Sequence, residues 1–444
     1  MYRGNGGRAG AGRVRRRLVA AGLPLGIAAG AAALGGCEPA GGSGTPARSP
    51  VTVSFLTNWA AGARLDLLNK VVPEFQKQNP HVTVSFEPKD EGMRAMLVTR
   101  IAGGAAPDVA LGAGQFFYEF VDKGFLLDIS PTLRQLKVNL ADYTLIPGID
   151  EAGGKRYGLP FQFTITSWFY NKSMFDRAGL KAPAETWTWN DLVDAGRALS
   201  KPDAGQWGIL MTNGIESSWG PFVLSNGDDH WISPDFKKTL FDRPAAIEAA
   251  QFAVDLIHRH RVAPNADEQR DAGGGDLFRN QKVAIRPVNS GYVGTLRAGA
   301  VPFDYDVFHL PQSPRTRRRR TTMSNQPHWV LNGAQPRLEA ATQLVAFLAG
   351  DYTQGLISDG RGSTPVYKKL QADARYQSPP PASMRTVTDT IAYATDMRFH
   401  RRFQDWFDTL TKAMDPAFNG QQSVADGMRE ATRLGDQLLA APPT

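Results

Sequence analysis

The sequence has 444 residues, a formal charge of +7 and 42% hydrophobic residues. This length suits two domains of moderate size rather than one. Six arginines and no acidic residue fall within residues 1–36, and without them 44 basic residues face 43 acidic ones. The remainder is therefore nearly neutral, which argues against nucleic acid as a partner.

Residues 1–36 have the pattern of a signal peptide. A basic start is followed by an apolar run from Leu18 to Leu34 that is short and only weakly hydrophobic for a membrane span. The run ends in Leu34-Gly35-Gly36-Cys37, which resembles a bacterial lipobox, so we expect Cys37 to be lipidated. A buried core thiol is the alternative. Three consecutive arginines also match a twin-arginine signal loosely, and the export route stays open.

Residues 37–50 are rich in Gly, Ser and Pro and predict a flexible tether. Cys37 is the only cysteine of the chain, which excludes an intrachain disulfide.

The chain after the tether opens with a strand–helix–strand pattern. Val51–Phe55 and Val82–Phe86 alternate in polarity as strands do. The apolar residues between them recur at helical spacing, and Pro73 predicts a kink or a restart there. Such a unit is typical of an α/β sheet.

Two further stretches continue this pattern. Ala106-Pro107-Asp108-Val109 predicts a turn into a buried strand, with Asp108 bracing its loop. Phe161–Tyr170 is rich in β-branched and aromatic residues and predicts a long strand, preceded by a turn at Gly153-Gly154. Thr188 and Asp191 have the spacing of a capping box and predict a helix start.

Enzyme motifs are absent from the sequence. It has neither a Gly-x-Ser-x-Gly elbow nor a phosphate-binding Gly-x-x-x-x-Gly-Lys loop. Asp228 and Asp229 are adjacent, unlike the separated carboxylates of a glycosidase. His258 and His260 lie two apart on a predicted helix and do not face each other, which argues against a metal site. We therefore expect no catalytic residue and no cofactor.

The order of several motifs resembles the extracellular solute-binding proteins of ABC importers. Small residues before Pro-Asp-Val at 105–109, then a helix, then Gly-x-Leu-x-Asp at 124–128 follow the pattern of that family, with Phe125 in the gap. The stretches at 153–200 and 360–365 are also similar. The resemblance runs from about Val51 to Leu439 and is strongest to the sugar- and oligosaccharide-binding, maltose-binding-protein-like branch.

This resemblance implies a two-lobed, hinge-connected α/β fold of the periplasmic-binding-protein type II class. Lobe one would comprise 51–159 with 291–352, and lobe two 160–290 with 353–444. The implied protein is a monomeric lipoprotein on the outer face of the cell membrane. It would capture a sugar or oligosaccharide and deliver it to the permease subunits of an ABC transporter.

Two alternatives stay open at this point. The same fold could bind another solute, such as a polyamine, a phosphate ester or a metal. A polyamine site would need clustered acids, and an anion site a helix N-terminus with an arginine. The chain could also be a secreted enzyme acting on polysaccharide. Arg315–Arg320 carries five arginines, and we interpret it as a solvated loop rather than an anion-binding patch.

Candidate ligand contacts follow from the chemistry of sugar binding. Aromatic rings stack on pyranoses, while amides, Arg and His bond their hydroxyls. Ligands of open α/β sheets bind at the carboxyl ends of strands. Four tryptophans (168, 187, 189 and 207) are assigned to core packing instead. The candidates are Asn58, Trp59, Gln115, Phe116, Gln162, Trp219, Trp231, Tyr292, His328, Trp329 and Arg361.

Overall fold

The computed structural model describes residues 49–89, 92–227 and 229–441. The predicted signal peptide and the proposed lipidation site at Cys37 lie outside the described residues, as does nearly all of the predicted tether. Among the described helices, none is long and apolar enough to cross a membrane.

Eleven strands are described. They are β1 (Val51–Thr57), β2 (Val82–Pro88), β3 (Val109–Leu111), β4 (Glu151–Ala152), β5 (Lys155–Arg156), β6 (Gly158–Asn171), β7 (Trp207–Ile209), β8 (Val283–Asn289), β9 (Tyr305–Phe308), β10 (Thr321–Val330) and β11 (Ala394–Thr395).

The described α-helices surround these strands. They are α1 (Gly62–Gln78), α2 (Met93–Ala102), α3 (Gly114–Asp122), α4 (Ser130–Gln135), α5 (Lys172–Arg177), α6 (Trp189–Leu199), α7 (Gly220–Asn226), α8 (Pro244–His258), α9 (Ala266–Asp271), α10 (Tyr292–Ala298), α11 (Leu338–Ala349), α12 (Asp351–Gly360), α13 (Lys368–Gln371), α14 (Ala374–Gln377), α15 (Arg385–Asp389), α16 (Phe403–Phe418) and α17 (Val424–Ala440).

One mixed sheet runs through most of the described chain. Its order is β2-β1-β3-β10-β6-β8-β7, with β9 paired to β6 and β11 paired to β10. β1 is parallel to β2 and β3, whereas β10 is antiparallel to β3 and β6. Helices flank a largely parallel β2-β1-β3 edge, as expected for an α/β architecture.

Strand β6 joins the two halves of this sheet. Its residues 158–165 pair with β10, and its residues 166–170 pair with β8, while 168–171 pair with β9. β10 likewise pairs with β3 at one end and with β11 at the other. The predicted strand Phe161–Tyr170 is confirmed and is longer at both ends. β6 and β10 therefore form the two-stranded link between the halves, and we call them the crossing strands.

Local predictions can be compared with the same structure. The capping box is confirmed, because Asp191 Oδ2 accepts hydrogen bonds from the backbone N–H of Thr188 at 2.7 Å and from its hydroxyl at 2.7 Å. Gly153 and Gly154 have φ of +59° and +73°, and they form the turn between β4 and β5. Helix α1 continues through Pro73, so the predicted restart is wrong. Burial of its Leu68, Val71, Val72 and Phe75 face offsets the lost backbone hydrogen bond.

The predicted lobe boundaries stay a prediction, because the described residues pack as one unit. Two segments make contacts across those boundaries. α10 and β9 pack with Phe169 and Trp207, although they were predicted in lobe one. In α12, Thr353 and Gln354 were predicted in lobe two, yet their side chains donate to the carbonyl oxygens of Phe347 at 2.9 Å and Leu348 at 3.3 Å, which were predicted in lobe one.

Candidate ligand-binding site

A polar cavity of about 270 Å³ lies over the crossing strands. It receives side chains from the β1–β3 half of the sheet, from the crossing strands themselves, and from the β7–β8 half. We call this cavity the cleft. Its lining residues are Arg64, Ala113, Gln115, Gln162, Thr164, Glu216, Asn289, Ser324, Asn325 and Gln326.

The floor of the cleft is a ladder of polar side chains. The register of β6 and β10 pairs Gln162 with Gln326 and Thr164 with Ser324. Alternate residues of a strand share one face, so these four side chains point the same way. The amide of Gln162 donates a short hydrogen bond to that of Gln326.

Two residues that line the cleft keep unsatisfied hydrogen-bonding groups. Asn325 is only 1% exposed, and neither atom of its amide group has a hydrogen-bond partner within the described protein. The carbonyl oxygen of the Gln162 side chain, which is 3% exposed, also lacks a partner. Buried polar groups are nearly always hydrogen-bonded. Donors and acceptors left free in this way are suited to a ligand rich in hydroxyl groups.

Glu216 forms one wall of the cleft. It lies in a π-helical turn, Ile215–Trp219, directly before α7. Its backbone carbonyl accepts hydrogen bonds from the hydroxyls of Thr322 at 2.8 Å and Thr166 at 3.3 Å. Burial raises the pKa of its carboxyl group. The wall thus offers a carboxylate whose backbone is fixed to both crossing strands.

The opposite wall comes from α1 and α3. Ala113 precedes α3 and has no side chain that could cap the helix, so the first N–H groups of α3 give this wall a partial positive charge. Gln115, in the first turn of α3, lines the same wall. The guanidinium of Arg64, an exposed residue, lies 5.1 Å from the ring centre of Trp59.

Two predicted ligand residues, Gln115 and Gln162, line the cleft. Trp59 lies behind it. One face of its ring packs near Phe161 at 4.8 Å, and Arg64 covers the ring, whose buried N–H has no partner. Asn58 is partly buried and does not line the cleft.

Four predicted aromatic contacts belong to the core instead. Trp329 is fully buried, donates to the carbonyl of Ile149 at 2.9 Å and packs edge-on against Phe116. Trp219 is fully buried between Phe241 and Phe418, and its N–H donates to Asn213. Trp231 donates to the carbonyl of Gly220 at 3.3 Å. Their ring faces and N–H groups are used within the protein, which gives these residues a packing role.

The other three predicted contacts are also buried within the protein. The Tyr292 hydroxyl donates to Asp276 at 2.7 Å, and Arg286 lies over its ring. Arg361 is buried and donates through Nε to the carbonyl of Arg375 at 3.0 Å. His328 is 1% exposed beside Phe55 and Phe161, and burial lowers its pKa to about 3. None of the three lines the cleft.

Several cleft residues were missed by sequence reasoning. Thr164, Ser324 and Gln326 could have been found, because each is a polar residue at an alternate position of a crossing strand whose floor face includes Gln162. Asn289 ends β8, beside the loop in which Tyr292 was chosen. No local pattern marks Arg64, Glu216 or Asn325.

Other polar motifs have structural partners. Asp108 accepts hydrogen bonds from the backbone N–H of Ser54 at 2.7 Å and from Arg337 Nη2 at 2.6 Å, which confirms its bracing role. Arg315 pairs with Glu248, and Arg318 and Arg320 pair with Asp229. No group of three or more potential metal ligands is found within the described residues.

The chain is similar to several known proteins. A family model described as "bacterial extracellular solute-binding protein" matches residues 61–354. A putative binding protein of Brucella abortus (strain 2308) is 23% identical over 387 residues, which cover 83% of this chain and 89% of the relative. The mannitol-binding protein of Pseudomonas aeruginosa is 30% identical over 245 residues, or 50% of this chain and 51% of the relative.

A solved structure has the same fold. It is an ABC substrate-binding protein of Listeria monocytogenes in complex with cycloalternan, with a TM-score of 0.79 and 21% identity. The match covers 88% of this chain and 99% of the other. This likeness confirms the predicted two-lobed periplasmic-binding-protein fold.

Proposed function

This chain belongs to the bacterial extracellular solute-binding protein family, and we propose that it captures a sugar or oligosaccharide for import by an ABC transporter. One observation carries the proposal. The cleft is lined by amides and hydroxyls, and buried atoms of Gln162 and Asn325 have no protein partner. A polyhydroxylated solute supplies both donors and acceptors to such groups.

The relatives support the same class of ligand. The mannitol-binding relative is named for a small polyol, and the Listeria structure contains a cyclic oligosaccharide. Proteins of this family bind solutes and are not enzymes, so the proposed mechanism is capture. The solute would bridge Arg64 and Gln115 on one wall and Glu216 and Asn289 on the other. Contacts to both walls favour the closed state over the open one.

The family is extracellular, so the chain acts outside the cytoplasm. We further propose that Cys37 carries a lipid that anchors the protein to the outer face of the membrane. The loaded monomer would then dock on the permease subunits, which release the sugar for ATP-driven import.

The cleft argues against the alternative solutes. A polyamine needs clustered acids, yet Glu216 is the only acidic residue among the described residues of the lining. A phosphate ester would find Arg64 and the start of α3, but it would also meet the negative charge of Glu216. A neutral sugar meets neither repulsion.

A thermal-shift screen of residues 38–444 against mono- and oligosaccharides tests the proposal. A ligand at 100 times its dissociation constant should add about 2.7 kcal/mol to the free energy of unfolding. Stabilisation by one family of sugars, with the sugar recovered intact, is the expected result. Stabilisation only by polyamines or phosphate esters, or hydrolysis of the sugar, would contradict it.

A further inference from the structure

Two charged side chains in the cleft lack an opposite charge. Glu216 has no hydrogen bond to its carboxylate and no ion pair within the described protein, and burial alone raises its pKa. Arg64 contacts the ring of Trp59, and no described carboxylate lies within ion-pair distance of it. An unpaired charge with little water around it is costly. Arg64 is exposed to water, whereas Glu216 is half-buried, so Glu216 in particular gains from a ligand.

The backbone of Glu216 is held rigidly although its carboxylate is free. Thr166 on β6 and Thr322 on β10 both donate to its carbonyl, and their hydroxyls lie 3.0 Å apart. π-Helical turns of this kind are frequent at functional sites. Because its backbone is fixed to both crossing strands, the carboxylate of Glu216 has a restricted position. Ligand specificity requires a binding group that is held in place in this way.

The charges of the cleft balance. Arg64 and Glu216 contribute one charge of each sign, and the other lining residues are uncharged. A cationic solute would be attracted by Glu216 but repelled by Arg64, and an anionic solute the reverse, so a net charge on the solute gains nothing. An uncharged solute avoids both penalties and still satisfies both groups, because a carboxylate accepts and a guanidinium donates hydrogen bonds.

The size of the cleft further limits which ligands can bind. Its volume of about 270 Å³ is just below the usual range for small-molecule sites. Within the described lining there is no aromatic ring on which successive sugar units could stack. Recognition must therefore come from hydrogen bonds to one or two sugar units rather than from a long stacked chain.

We propose that Glu216 is the specificity-determining residue of the cleft: its carboxylate accepts hydrogen bonds from hydroxyl groups of an uncharged mono- or disaccharide and, with Arg64, excludes amino sugars and uronic acids. This inference rests on the proposed sugar-binding function. It adds to that function the charge and the size of the ligand, and it names the residue that selects the ligand.

Calorimetric titration tests the inference, with the neutral sugar that stabilises the wild-type protein most. Glu216→Gln should weaken its binding by about 10- to 100-fold, as expected for hydrogen bonds to a charged group. The same variant should raise the Tm of the free protein, because the unpaired charge is removed. Replacing a residue with only a structural role would not both weaken sugar binding and raise the Tm of the free protein. Glu185→Gln makes the same change at an exposed site and should alter neither value.

A series of monodeoxy analogues identifies the hydroxyl involved. One analogue should bind the wild-type protein at least about tenfold more weakly than the parent sugar does. The Glu216→Gln variant should bind this analogue and the parent sugar equally well, because the two changes remove the same contact. The amino and uronic acid counterparts should also bind the wild-type protein at least about tenfold more weakly than the neutral sugar. Glu216→Asp keeps the charge and should retain the preference for the neutral sugar.

The outcomes separate the two proposals. The role of Glu216 would be overturned if a folded Glu216→Gln variant kept the wild-type affinity for the sugar. It would also be overturned if the wild-type protein bound a charged analogue more tightly than the neutral sugar. Either result would leave the proposed sugar-binding function intact. Tight binding of long oligosaccharides but not of mono- or disaccharides would overturn the size of the proposed ligand. Failure of every sugar to bind would overturn the proposed function together with this inference.

Discussion

Individual residues of the cleft and its surroundings differ in how their polar atoms are satisfied. Gln162 and Asn325 both line the cleft and keep amide atoms without a hydrogen-bond partner. His328, beside them on β10, also has two unpartnered ring nitrogens but lies between Phe55 and Phe161. The first arrangement suits a ligand, and the second makes His328 sensitive to acid.

His328 should contribute to acid destabilisation. Its pKa is about 3 in the folded protein and about 6.5 once unfolded, so the unfolded state binds the proton first as the pH falls. The free energy of unfolding should therefore decrease from pH 6.5 towards pH 3. Urea unfolding across this range should show a weaker decrease for His328→Leu.

The control for this prediction is His81→Leu at a partly exposed turn, which should keep the wild-type pH dependence. An identical pH profile in His328→Leu and the wild-type protein would contradict the assigned burial.

At the scale of elements, the crossing strands place the site and hold the fold together. β6 and β10 approach closely at Gly158, where an added Cβ would lie 2.2 Å from the carbonyl oxygen of His328 and 2.9 Å from the Trp329 ring. Both neighbours are fixed, the first by the strand pairing and the second by its bond to Ile149. Only glycine fits between them.

Gly158→Ala should thus be strongly destabilising. Overpacking of this kind costs about 1–3 kcal/mol or more, because the strands must separate. Denaturant unfolding measures the loss, and Gly92→Ala is the control, since its Cβ would meet no atom within 4 Å. Equal stability of the two variants would show that β6 and β10 are not packed as described.

The same elements show how far sequence reasoning reaches. Hydrophobic alternation and turn residues predicted β6 and the first strand–helix–strand unit, because these depend on local periodicity. Gln115 and Gln162 were found because they follow or occupy predicted strands. Trp219 and Trp329 were chosen for the site although they lie in the core, since burial of an aromatic residue depends on contacts distant in sequence. Glu216 gave no signal, because Thr166 and Thr322 hold its π-helical turn from other elements.

At the scale of the whole molecule, the proposed role needs attachment near a permease. Cys37→Ser removes the proposed lipidation site. The protein should then move from the membrane fraction to the soluble fraction when expressed in a bacterium that processes lipoproteins. Immunoblots of the two fractions measure this. Ser43→Ala, in the same segment, should leave the protein with the membrane. Membrane association of the Cys37→Ser protein would contradict the anchor.

The central claim is that sugar binds over the crossing strands, and calorimetric titration of a Gln162→Ala/Asn325→Ala double variant tests it most directly. Loss of several hydrogen bonds should weaken binding of the sugar at least about 100-fold. Thermal unfolding should show that the variant remains folded, since the removed atoms include unsatisfied ones. An Asn419→Ala/Gln421→Ala variant changes the same residue types at exposed positions and should bind as the wild-type protein does. Wild-type affinity in the Gln162→Ala/Asn325→Ala variant would place the sugar elsewhere and contradict the account.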